Sequence, residues 1–214
     1  MTRSDIPAEQ IQSAYAELAN IKGILADRGW FPATSGNLSI RVGDYTPDQF
    51  QFAITASGKD KSVQTPEDYL LVDENGVPLL PTKLKPSAET LIHCEIYRLT
   101  GCGAVYHVHT VFNNLASAIY ETAGAIPLKG IEIIKAFNIW EENAEIHVPI
   151  LPNYAEIPKI AELVEGAINP QVPGILLHNH GIYAWGATPF DAKRHLEAFE
   201  FCFEYAVRMK SLIQ

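Results

Sequence analysis

His107-Val108-His109 places two imidazoles one residue apart, inside an apolar run that begins at Ala104. In a β-strand, residues i and i+2 point to one face. Two imidazoles aimed together from a buried strand are costly without a partner. A divalent cation supplies that partner, and three histidines with one open coordination position form a catalytic-zinc arrangement. A third histidine is available at the end of another apolar run, Gly174-Ile175-Leu176-Leu177, which leads into His178-Asn179-His180. Spacing leaves open which of these two joins the pair; the other would make an outer or core hydrogen bond. His93, His147 and His195 lack a comparable setting and read as structural or surface residues.

Two segments are suited to an oxyanion. Thr34-Ser35-Gly36-Asn37 precedes a strand and Thr55-Ala56-Ser57-Gly58-Lys59 follows one, so both can offer backbone N–H groups and hydroxyls. A third, Lys83-Leu84-Lys85-Pro86-Ser87-Ala88-Glu89, ends at an expected helix N-terminus, itself an anion site. Four of the ten lysines, Lys59, Lys61, Lys83 and Lys85, fall here. Singly these are ordinary turns; together they predict a phosphate pocket. Acid/base chemistry has two candidates. Glu89 is expected in the first turn of a helix, where the dipole alone would favour it. Glu132, set among isoleucines, is expected to be half-buried with a raised pKa, or else to be an outward strand residue. Glu141-Glu142 reads as a solvated turn, and Phe199, Phe201, Phe203 and Tyr205 as core or subunit contact.

The elements that must carry these residues interleave. Helices are predicted over 7–28, with Gly29 beyond the end, over 87–99 with Gly101 as the stop, over 111–120, over 158–167 and over 188–210. Thr65-Pro66-Glu67-Asp68 reads as another helix start. Strands are predicted over 38–42, 51–55, 104–109, 174–177 and 182–185. Short turns between neighbouring strands favour a mixed or antiparallel sheet covered by helices.

The bulk numbers suit this reading. A chain of 214 residues with 47% hydrophobic and 19% charged residues is globular, and is expected to form one domain over 1–214. A net charge of −9 argues against nucleic acid, so an anionic ligand must be drawn by local charge. Three cysteines without a CxxC pair, no apolar leader and no transmembrane-length run lead us to expect a reduced, cytoplasmic protein with no membrane partner.

Taken together, Ser35-Gly36-Asn37, Thr55-Ala56-Ser57-Gly58, Pro86-Ser87-Ala88-Glu89, His107-Val108-His109 and Asn179-His180-Gly181 resemble the class II aldolase/adducin family, in order and over nearly the whole chain. The resemblance implies an α/β three-layer fold with a central, mainly antiparallel sheet flanked by helices. It implies one Zn2+ per subunit on His107, His109 and His180, and phosphate on Asn37, Ser57, Gly58, Ser87 and Lys85. It also implies a homotetramer with sites near subunit contacts. Within the family, Lys129-Gly130-Ile131-Glu132-Ile133-Ile134-Lys135-Ala136 resembles a dehydrating branch, and so do His180-Gly181-Ile182-Tyr183-Ala184-Trp185-Gly186 and the aromatic helix after it. The implied reaction there is zinc-dependent loss of water from 5-methylthioribulose 1-phosphate in methionine salvage, with Glu132 as acid/base. Glu89 stands where the aldolases keep their catalytic carboxylate, so it is a supporting residue here and the centre of the alternative, a sugar-phosphate aldolase or epimerase. A non-catalytic adducin-like role would dispense with the three histidines, which are all present.

Overall fold

The computed structural model describes residues 6–213. Its centre is an eight-stranded sheet in the order β3-β2-β1-β4-β8-β7-β6-β5. The strands are β1 (Asn37–Thr46), β2 (Gln49–Thr55), β3 (Tyr69–Asp73), β4 (Ala104–Val108), β5 (Ala125–Lys129), β6 (Glu145–Leu151), β7 (Gly174–Leu177) and β8 (Gly181–Gly186). All neighbours are antiparallel except β6 and β7. The helices are α1 (Ala8–Asp27), α2 (Thr90–Thr100), α3 (Val111–Ile119), α4 (Ile157–Ala167) and α5 (Pro189–Ile213).

Alternation along the strands sorts the core into two layers. Leu38, Ile40, Tyr106, Val108, Ile182 and Ala184 pack under α1, α3 and α5. Phe52, Ile54, Val105, Leu177, Tyr183 and Trp185 pack under α2 and α4. This is the expected three-layer architecture. No helix among the described residues is long and apolar enough to cross a membrane.

Several boundaries depart from expectation. Thr65-Pro66-Glu67-Asp68 starts no helix. The Asp68 carboxylate instead closes a turn on the Thr65 N–H (2.8 Å) and hydroxyl (2.6 Å), and it is paired with buried Lys22 of α1. The chain then enters β3, buried throughout. A cap residue followed by proline and acids serves a turn as well as a helix when the acid has a buried partner. Helix α2 begins at Thr90, with Glu89 at the N-cap position. The strand expected to hold both histidines ends at Val108.

The corner after β4 is held from α5. Thr110 caps α3 by accepting from the Asn113 N–H at 3.0 Å. The carboxylate of Glu200 accepts from the Thr110 hydroxyl at 2.6 Å and from the Asn113 amide at 2.8 Å. Glu200 is 7% exposed, and burial pushes its carboxyl up to about 7, against the pull of those two hydrogen bonds. A raised folded-state pKa means that the stabilisation is full below the unfolded carboxyl range and is lost as pH rises through about 7. Glu200→Gln should therefore flatten the melting-temperature profile between pH 4.5 and 7. The wild type should lose up to about 3 kcal/mol across that window, and an unchanged slope in the variant would contradict the assignment.

Candidate active site

The site is built at one end of β4. Register places Asn37 of β1, His107 of β4 and Tyr183 of β8 in one row across three strands. The His107 ring lies flat on the Tyr183 ring, with centroids 4.0 Å apart and planes at 12°. His109, just past the strand, keeps the same-face relation, with its Nε2 2.9 Å from Nε2 of His107. His180 sits in the three-residue turn joining β7 to β8. The nitrogens of His107, His109 and His180 lie within 4.8 Å of one another.

The turn that delivers His180 is fixed from α3. The Asn114 amide donates to the His180 carbonyl (2.8 Å), and the Asn179 N–H donates to the Ser117 hydroxyl (2.9 Å). Asn179 takes φ +50° to make the turn. Gly181 follows because nothing larger fits: a Cβ there would stand 2.4 Å from the Val108 carbonyl and within 3 Å of both His107 and His109. His178 turns away to Glu121, at 3.4 Å.

Glu89 completes the cluster. Its carboxylate stands 2.9 Å from His180 Nε2 and 3.4 Å from His107 Nε2. It also accepts from the Asn37 amide at 2.5 Å. Behind Asn37 runs a buried relay: the Asn37 carbonyl accepts from His93 Nε2, and Ser39 bridges His93 Nδ1 (2.7 Å) to Tyr97 (2.8 Å). Burial drops His93 to about 3, so its ring is neutral, with one donor and one acceptor nitrogen. Burial raises the Glu89 carboxyl, but His107, His180 and Asn37 outweigh it and hold the group ionised, well below the usual carboxylate range. Burial likewise lowers His107 well below the ordinary range and His109 to about 4.

The donor set fits a cation. His107 Nδ1 donates to the Ile182 carbonyl (3.0 Å) and His180 Nδ1 to the Asn153 side-chain oxygen (3.1 Å). With both Nδ1 hydrogens committed outward, Nε2 of His107 and of His180 turns inward, where it meets the Glu89 carboxylate, and His109 Nε2 joins them. Three imidazole nitrogens and a carboxylate gathered around one small volume form a donor set that suits a divalent ion.

The chain is similar to known proteins in sequence and in fold. Residues 16–207 match the family model for the Class II Aldolase and Adducin N-terminal domain. The chain belongs to that family. A methylthioribulose-1-phosphate dehydratase of Persephonella marina is 53% identical over 201 residues, covering 94% of this chain and 92% of that protein. One of Bacillus subtilis is 52% identical over 202 residues, covering 94% and 95%. The crystal structure of L-fuculose-1-phosphate aldolase from Thermus thermophilus superposes with a TM-score of 0.64 at 26% identity, covering 92% of this chain and 93% of that one.

The remaining predicted residues fall in two places. Ala56 bridges to Pro86, and the Ser57 N–H donates to the Lys85 carbonyl at 2.9 Å, so Ser57, Gly58, Lys85 and half-buried Ser87 meet beside the start of α2. The Asn37 side chain is given to Glu89 and His93. Glu132 is elsewhere. It opens a 3-10 helix, Glu132–Phe137, not a strand. Ile134 and Phe137 turn inward at spacing three and leave Glu132 outside, its side chain 84% exposed and paired with Lys135 at 2.6 Å. The expected half-burial does not hold, and no contact links Glu132 to the histidines within the chain among the described residues.

Sequence reasoning missed Asn153, Tyr183 and the role of His93. Only the register of β1, β4 and β8 reveals Tyr183, His93 reaches Asn37 from α2, and Asn153 lies in a loop with no motif. Gly181→Ala should cut divalent-metal affinity at least roughly tenfold, the range seen when groups that orient metal ligands are lost. Metal titration of a variant that stays folded checks this, and unchanged affinity would count against the packing argument.

Proposed function

We propose that the chain is a hydro-lyase that converts 5-methylthioribulose 1-phosphate into 2,3-diketo-5-methylthiopentyl 1-phosphate in methionine salvage, with zinc on His107, His109 and His180. The observation that carries the reading is the inward set of three imidazole nitrogens, in a chain more than half identical to proteins named for this reaction. Zinc held there supplies Lewis acidity toward the substrate's carbonyl and hydroxyl oxygens. Asn37, Ser57, Gly58, Lys85 and Ser87 hold the phosphate, which fixes the sugar against the histidines.

Glu132 acts as acid/base. It takes the proton from C3 and returns one to the departing C4 hydroxyl. The C3–H and C4–O bonds break, one water leaves, and the resulting enol ketonises to the diketone. Since Glu132 touches none of the histidines of its own chain, it serves the site of a neighbouring copy in a homotetramer. Its surroundings support this. Ile133, Trp140, Phe201 and Tyr205 expose apolar surface around it, and Met209 and Leu212 extend that surface along α5. Such a patch suits a subunit contact.

Glu89, placed against the histidines, favours a second reading, an aldolase or epimerase that cleaves or inverts a sugar phosphate with Glu89 as base. Product mass separates the two: incubating the zinc-loaded protein with 5-methylthioribulose 1-phosphate should give a phosphorylated product lighter by one water. A three-carbon phosphate would overturn the dehydratase. Glu132→Gln should lower turnover by roughly 10²–10⁴-fold with metal content unchanged. Mixing inactive Glu132→Gln and His107→Ala chains, unfolded and refolded together, should restore part of the activity. No recovery in a mixed oligomer would place Glu132 outside the neighbour's site.

A further inference from the structure

Two lysines are buried among the described residues, and they differ in what holds them. Lys22 has the Asp68 carboxylate and the Val63 carbonyl. Lys61, 5% exposed, gives one N–H to the Thr34 carbonyl at 2.7 Å and meets no carboxylate in salt-bridge contact among the described residues. An ammonium has three donors, and lysine is almost never buried unpaired. Among the described residues its one hydrogen bond is to Thr34, and carboxylate charge reaches it only from beyond salt-bridge distance.

The surroundings point to what completes it. Lys61 joins the two loops that carry phosphate candidates: 31–37, ending in Asn37, and 57–61, beginning with Ser57 and Gly58. The first loop is strained where Lys61 grips it, with Ala33 at φ +52° and Thr34 at φ +66°. One residue on, the Ser35 hydroxyl is buried with no hydrogen-bond partner. Lys61 also lies within the electrostatic reach of the cluster. Burial lowers its pKa and the Glu89 charge opposes that, while the Lys61 charge in turn depresses His109. Of the carboxylates whose charge reaches Lys61, Glu89 is already engaged by His107, His180 and Asn37, Asp68 by Lys22 and Thr65, and Asp60 by Ser62.

We propose that Lys61 is a phosphate-binding residue, its ammonium and the Ser35 hydroxyl closing the inner side of a cradle whose outer side is Ser57, Gly58 and Ser87. This rests on the reading of the substrate as a sugar phosphate. The unpaired charge is a cost carried by the empty cradle and relieved by a phosphate dianion.

The test uses the full-length, metal-loaded protein and inorganic phosphate as the probe, read by calorimetry without turnover. Lys61→Met should weaken phosphate binding at least about tenfold, the lower end for a charged hydrogen bond, while Lys61→Arg should retain most of it. Without phosphate, Lys61→Met should melt at or above the wild type, because a neutral chain of similar volume replaces a buried unpaired charge. In wild-type protein with 15N-labelled lysine, the Lys61 Nζ resonance should shift on adding phosphate, a readout that requires no variant to fold. Undiminished affinity in Lys61→Met, or a Lys61 resonance indifferent to phosphate, would overturn the proposal. Because no step depends on turnover, a failed dehydration assay with phosphate still bound through Lys61 would count against the reaction alone.

Discussion

The site depends on one small volume into which imidazole nitrogens and a carboxylate are turned together. The protons of His107 and His180 are committed outward, to a backbone carbonyl and to Asn153. Their remaining nitrogens, His109 and an ionised Glu89 share one small volume. Left unmet, each such group costs on the order of 1–3 kcal/mol. The surrounding structure supplies that cost in advance through Gly181, which lets two strand ends close together, and through Tyr183, which fixes the His107 ring from below. The precision of the ligands is thus a property of backbone spacing and packing more than of the histidines themselves.

The sheet order is what makes the cluster possible. Residues 37, 107 and 183 are far apart in the chain, yet β1, β4 and β8 are neighbours at the centre of the sheet. Strand spacing of about 4.8 Å then sets the lateral distance from Asn37 to His107 to Tyr183. The α2 layer covers the same face, so Glu89 and His93 arrive from one helix and its N-cap: one reaches the cluster, the other holds Asn37 from behind. A fold with β4 at an edge would lose one flank of this row.

Much of this was legible beforehand. The apolar runs of β4 and β8, the start of α5 at Thr188-Pro189, and the glycine stops after α1 and α2 are local signals, and the structure follows them. The His107-Val108-His109 pair kept its common face even though the strand ends between them, because alternation persists for a residue past the last ladder bond. Three strands went unread. Strand β3 directly follows Thr65-Pro66-Glu67-Asp68, whose reading as a helix start displaced it, while β5 and β6 carry Pro127 and Pro149, which weaken any strand pattern. Glu132 misled for a related reason. Isoleucines on either side suggest burial in a strand, whereas in the 3-10 helix Ile134 turns inward and Ile133 stays exposed beside Glu132. The outer partners of the cluster were out of reach because hydrogen bonds across 27 or more residues leave no local trace.

The two carboxylates divide the chemistry by what already binds them. Glu89 is fully engaged, with His180, His107 and Asn37 all favouring its ionised form. A carboxylate stabilised so far as an anion is a weak proton acceptor, since general-base efficiency falls as basicity falls. Its geometry suits it to fix the histidines and the bound substrate. Glu132 has only Lys135, in solvent, on a surface whose apolar neighbours call for cover. Covering that patch with a second copy would strip water from Glu132 and raise its affinity for a proton. Under the proposed function, an acid/base residue assembled this way would be inert in the isolated chain and competent only in the oligomer, which would tie proton transfer to assembly.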